Sequence, residues 1–198
     1  MHKHVVVWFA VVSAIFVLTG GCSLPPEQQA VEAVESVGGR VKLDADGQVV
    51  EVDVSRTPAD DELLSLLSAL PRLTLINCSE TRIKGDGLAS LNNLKQLKSL
   101  YLVGCDVNDR GGRNPESRVT LETLHVGRTQ LTDEGLSGLR HLTKLRTLSL
   151  GHTAVTDAGL IHLRSMHDLG TLILHHTKVT KGGVRDLQRS MPDARIDL

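Results

Sequence analysis

The chain has 198 residues, of which 40% are apolar and 23% charged, and 22 Lys and Arg against 23 Asp and Glu leave a formal charge of -1. That balance excludes a disordered or collagenous chain and offers no basic excess for phosphates, so no nucleic-acid partner is expected. Trp8, Phe9 and Phe16 all fall in the first 16 positions and only Tyr101 follows them, which also removes any aromatic platform for stacked bases.

The first element is the run Val5 to Leu18, apolar except for Ser13, behind a short head carrying Lys3. This is the layout of an export signal. Its 14 residues would span roughly 21 Å as a helix, short of the about 30 Å hydrocarbon core, so a permanent spanning helix is the weaker reading. The stretch Leu18-Thr19-Gly20-Gly21-Cys22 resembles the lipobox of bacterial lipoproteins. The resemblance implies removal of 1–21, lipid attachment at Cys22, and, with Ser23 next, outer-membrane sorting in a Gram-negative cell envelope. Ordinary signal cleavage is the alternative. Residues 22–26 then form a short lipidated tether, and the lipid is the expected membrane contact.

Residues 27–48 are predicted to cap one end of the fold. Ala30, Val31, Val34 and Val37 share one face of a helix over Glu27 to Val37, which Gly38-Gly39 ends. A strand Arg40 to Leu43 and an Asp46-Gly47 turn lead into a repeat that occupies 49–198.

The period is 24. Val49, Leu73, Leu97, Leu121, Leu145 and Leu169 each begin a unit, and offsets 0, 3, 5, 10, 15, 18 and 21 are apolar at 38 of 42 sites. The exceptions are Gly112, Pro115, Arg118 and Ser190. Offsets 3 and 5 alternate as in a strand, whereas 15, 18 and 21 recur as one face of a short helix. Thr132-Asp133 and Thr156-Asp157 offer oxygens to cap those helices. Offset 8 is a column of Thr57, Thr81, Cys105, Thr129, Thr153 and Thr177, suited to satisfying turn backbone groups. No unit can bury its own apolar face, so the units must stack into an α/β solenoid with a parallel sheet on the concave side and short helices on the convex side. LETLHVGRTQLTDEGLSGLRHLTK and LRTLSLGHTAVTDAGLIHLRSMHD resemble short bacterial leucine-rich repeats with Thr-Asp-x-Gly-Leu. The resemblance implies the fold and says almost nothing of the partner.

In the third unit Gly112 and Pro115 replace leucines, which predicts a loop from Arg110 to Ser117. A last abbreviated strand is expected over Arg195 to Asp197. Cys78 and Cys105 are expected to be buried thiols, displaced too far along their strands for an undistorted disulfide.

Strand offsets 2, 4 and 6, with offset 7 at the strand end, should face the concave side. There Tyr101, His125, Arg128, Ser149, His152, His175 and His176 gather towards the C-terminal half. The expected activity is non-catalytic binding of another protein by a monomer without cofactor, with Tyr101 as the sole aromatic anchor. Two other readings stay open. A metal-dependent hydrolase would use the histidines, for which no carboxylate or cysteine stands at ligand spacing, and a purely structural envelope spacer would have no specific partner.

Overall fold

A computed structural model describes residues 23–112 and 120–198. The signal segment, Cys22 and the greater part of the third-unit loop lie outside the described residues.

Helix α1 spans Pro26–Ser36, with Pro25 before it and Pro26 in its first turn, where a missing N–H costs nothing. Its buried side chains are Ala30 and Val34. Gly38, at φ 84°, turns the chain out of the helix, and the Gly39 N–H then donates to the Val34 carbonyl at 2.9 Å. A Cβ on Gly39 would stand 2.6 Å from Val54 Cγ1, so this glycine lets the cap approach the first repeat.

Eight strands follow in chain order within one sheet: β1 Arg40–Leu43, β2 Val49–Asp53, β3 Leu75–Asn77, β4 Ser99–Tyr101, β5 Thr123–His125, β6 Thr147–Ser149, β7 Thr171–Ile173 and β8 Arg195–Asp197. Strand β1 pairs antiparallel with β2 through the Asp46-Gly47 turn, where the Asp44 carboxylate accepts from the backbone of Asp46 and Gln48. Every later pair is parallel. The sheet is therefore mixed only at its N-terminal edge. Val52, Ile76, Leu100, Leu124, Leu148, Leu172 and Ile196 stand opposite one another in a single row across the sheet.

That row and the apolar residues at offsets 0 and 5 form one continuous core under the sheet, with Ile196 partly buried against it. The convex side closes it with α2 Asp61–Leu67, a 3-10 helix Asp86–Asn93, α3 Asp109–Gly112, α4 Asp133–Leu139, a 3-10 helix Gly159–Leu163 and α5 Lys181–Gln188. The third unit differs from its expected loop at the start. Asn108 Oδ1 accepts from the Arg110 N–H at 2.9 Å and opens one helical turn, which carries Arg110 and reaches Gly112. An apolar hollow lies at this level of the core, lined by Leu88, Leu97, Val107, Leu131 and Leu139 among others.

The Thr-Asp-x-Gly motif proves to join units as well as to start helices. Thr132 caps α4, accepting from the Glu134 N–H, and Thr156 accepts from the Ala158 N–H just ahead of the 3-10 helix Gly159–Leu163. The aspartates instead reach forward. Asp109 accepts from the Thr132 N–H and hydroxyl, Asp133 from those of Thr156, and Asp157 from those of Thr180, all between 2.6 and 2.8 Å. The glycine of the motif makes room for this. A Cβ on Gly135, Gly159 or Gly183 would meet the preceding unit's aspartate Oδ1 at 2.4, 2.3 or 2.1 Å. The bonds from Thr180 hold the Asp157 carboxyl below the usual carboxylate range. Since that value is lowered on folding, its contribution is present at neutral pH and fades only as pH falls through the lowered value.

Candidate functional site

The site begins with a backbone feature. At offset 7, just past each strand, the chain is left-handed: Arg56, Glu80, Arg128, His152 and His176 have φ between 55° and 59°, and Gly104 has φ 70°. The left-handed region costs a non-glycine residue about 1–2 kcal/mol. In five of these six turns a hydrogen bond to the next unit accompanies it. The N–H groups of Arg56, Glu80, Gly104, Arg128 and His152 donate to the carbonyls of Ser79, Val103, Gly127, Gly151 and His175 at 2.7–2.9 Å. The ladder thus continues beyond the strands, and the offset 7 side chains form a row along the rim of the concave face. Only Gly104 hints at this conformation in the sequence.

The threonine column steadies each turn. Thr57, Thr81, Thr129, Thr153 and Thr177 donate their hydroxyls to the carbonyl three residues earlier at 2.6–2.8 Å. Cys105 departs from the column, its thiol donating to the Cys78 carbonyl of the preceding unit at 3.0 Å. Both cysteines are free and buried, and burial pushes the Cys78 thiol far above its usual pKa.

The seven residues singled out on the concave face separate into two sets. Tyr101 and His125 are register partners on β4 and β5, their rings edge to face with centroids 4.9 Å apart. His125 is half-buried, and the loss of water lowers its pKa. Ser149 is the next partner along from His125 and stands opposite Ile173 on its other side. The second set lies on the rim, where the exposed rings of His152 and His176 stack with centroids 4.3 Å apart. The pKa of His152 is lowered by desolvation first, then by His176, Arg128 and His175. Gly127 and Gly151 at offset 6 are buried, and a Cβ on Gly127 would meet the Gly151 carbonyl at 2.9 Å, so backbone lies close-packed in the turns beside the two sets.

A third region was not anticipated. Arg40, Lys42, Glu51, Asp53, Leu75, Asn77 and Tyr101 line a shallow hollow at the N-terminal half of the sheet. Lys42 pairs with Glu51 across β1 and β2, while Arg56 pairs with Glu80 at 3.0 Å on the rim. Glu51, Asp53 and Asn77 are polar repeat positions of that surface, but Arg40 and Lys42 reach it from β1, outside the repeat. Tyr101 thus borders both the hollow and His125.

Among the described residues no group of three or more His, Cys, Asp or Glu is arranged to hold a metal ion. The alternative metal reading therefore finds no third ligand of these types there beside His152 and His176, fewer than a tetrahedral zinc site takes from a protein.

A family model described as leucine-rich repeat matches residues 119–139 and 141–163. Solved structures extend the likeness along the chain. A leucine-rich repeat protein of Leptospira interrogans is similar at 18% identity and TM-score 0.55, with 68% of this chain covered and 33% of that one. Internalin C2 of Listeria monocytogenes is similar at 18% identity and TM-score 0.55, with 87% of this chain and 81% of that one covered. The chain spans about a third of the length of the Leptospira protein. No curated protein matches it.

Proposed function

Because this chain is a leucine-rich repeat solenoid, we propose that it is a non-catalytic binding protein that holds another protein on its concave face. The observation carrying this reading is the Tyr101–His125 pair, a half-buried aromatic contact set in an unbroken register of adjacent strands. A large amphipathic ring held at low entropic cost is the kind of anchor that dominates protein interfaces, and Arg128 on the rim of the same face adds a permanent charge. The short strands fix side-chain spacing at about 4.8 Å from unit to unit, so the surface is organised before a partner arrives.

Tyr101→Ala, His125→Ala and Arg128→Ala together are expected to abolish crosslinking to the partner in cells, with the thermal unfolding midpoint little changed. Undiminished crosslinking would move the contact to the convex helices or the third-unit loop.

We further propose that the protein is exported and lipid-anchored through Cys22 at the outer membrane of a Gram-negative-type envelope. The support is the lipobox-like run ending at Cys22 and the start of α1 at Pro26, which leaves a very short tether. The membrane-extracted protein is expected to have the mass of residues 22–198 plus acyl chains, and Cys22→Ala is expected to lose them. An unacylated wild-type mass would remove the anchor from the account.

A further inference from the structure

The charge of the concave surface changes along its length. In the first three units acids stand among bases, Glu51 paired with Lys42 and Glu80 with Arg56, while Asp53 on β2 and Asp106 beyond β4 are further acids. From Leu121 onward no residue between offsets 2 and 9 of a unit is acidic. The same stretch holds Arg128, His152, His175, His176 and Lys178, all exposed. The one carboxylate beyond it on the sheet, Asp197 of β8, is engaged by Arg195 at 3.1 Å. Glu122, at the opposite strand end, faces Lys98 and Arg146.

We infer that the row of turns bearing Arg128, His152 and His176, together with His175, docks an acidic polypeptide segment, and that it docks more tightly as the histidines take up protons. The inference rests on the concave-face binding reading and names the partner's chemistry. Charge complementarity selects that chemistry, because the row offers cations and cation-forming rings without a competing carboxylate among them.

The geometry also favours several carboxylates in one chain over a single small anion. Three successive turns span roughly 10 Å at about 4.8 Å each, so one anion reaches only part of the row. The left-handed backbone fixes where each side chain leaves the turn, so the row is laid out before binding. The rings of His152 and His176 stack with centroids 4.3 Å apart, and Arg128 and Lys178 in the same row supply permanent charge. Protonation adds up to three cations and sets the two rings against each other. A carboxylate laid over them relieves that repulsion, so proton uptake and docking reinforce one another reciprocally. His125 stands apart from this row, against Tyr101.

The test uses the full chain with a fluorescent peptide of ten glutamates, read by anisotropy at constant ionic strength. Binding is expected to be about tenfold tighter at pH 5.5 than at pH 7.5. The variant H152Q/H175Q/H176Q is expected to lose most of that gain. H141Q/H162Q/H167Q, which removes three histidines outside the strand and turn row, is expected to keep it. A decamer of lysines should show no acid-strengthened binding. Equal pH gains in both variants, loss of the gain only in the second set, or no binding of the glutamate peptide at pH 5.5 would each overturn the inference. If the peptide fails while partner crosslinking still depends on Tyr101 and His125, only this inference falls. If both fail, the concave-face reading falls with it.

Discussion

Gly159→Ala is expected to destabilise the solenoid by about 2–3 kcal/mol, within the range for forcing extra atoms into a packed site. The added Cβ would stand 2.3 Å from Asp133 Oδ1 and 3.2 Å from Asp133 Cα, and the second contact is main chain that cannot swing aside. The displaced carboxylate is the one receiving the Thr156 N–H at 2.8 Å and its hydroxyl at 2.6 Å. Asp133→Ala alone is expected to cost about 2 kcal/mol, since bonds to a charged acceptor are worth more than neutral ones but this site is half-exposed. In the Asp133→Ala background Gly159→Ala should cost about 1 kcal/mol or less. Chemical denaturation of the four proteins closes the cycle, and additive costs would show that glycine and aspartate do not share one site.

Leu148→Ala carries the largest expected cost in the core, about 3–4 kcal/mol. Its side chain is 0% exposed on β6, in the row between Leu124 and Leu172. A fully buried leucine cut to alanine loses transfer energy and leaves a cavity that a rigid ladder closes poorly. The consequence should also be directional. In a solenoid each unit contacts only its neighbours, so weakening the β5–β6–β7 contacts weakens the joint to everything beyond. Amide exchange is expected to speed up most in β6, β7 and β8, with β2 and β3 nearly unaffected. Uniform acceleration along the chain would mean the units unfold as one cooperative block.

The repeat was legible because burial acts on every unit alike: seven apolar offsets recur wherever a side chain faces the core. The α/β solenoid follows from that periodicity, whereas the α1 cap is read from its own apolar face, Ala30, Val31, Val34 and Val37, and β8 as an abbreviated last strand. Two features were hidden for a physical reason. A carboxylate that caps its own helix and one that binds the next unit occupy the same place in a 24-residue pattern, so the forward reach of Asp109, Asp133 and Asp157 appears only in three dimensions. The left-handed turns were hidden because arginine, glutamate and histidine adopt that backbone here, mostly with an N–H bonded to the next unit, leaving Gly104 as the lone conventional sign.

Legibility of the concave face followed the same division. The sequence places Tyr101, His125, Ser149, Arg128 and the histidines on one sheet face, but offsets 4 and 7 alone do not say how far apart they act. The left-handed turn carries Arg128, His152 and His176 to the rim, away from the Tyr101–His125 contact. The hollow between Lys42 and Tyr101 escaped notice because β1 lies outside the repeat and only its antiparallel pairing brings Arg40 and Lys42 onto that surface.

From β2 to β8 every strand meets its neighbour at a shift of 24 residues without slip. The molecule therefore has translational symmetry, and its length is an adjustable dimension. A second copy of residues 121–144 spliced in after the first would meet matching partners on both sides: its Asp133 equivalent would find Thr156, and its own threonine would find the original Asp133. The two ends of the body would move about 4.8 Å further apart while their surfaces stayed unaltered. A protein built this way can retune the reach of its binding face by whole units, without redesigning any single one.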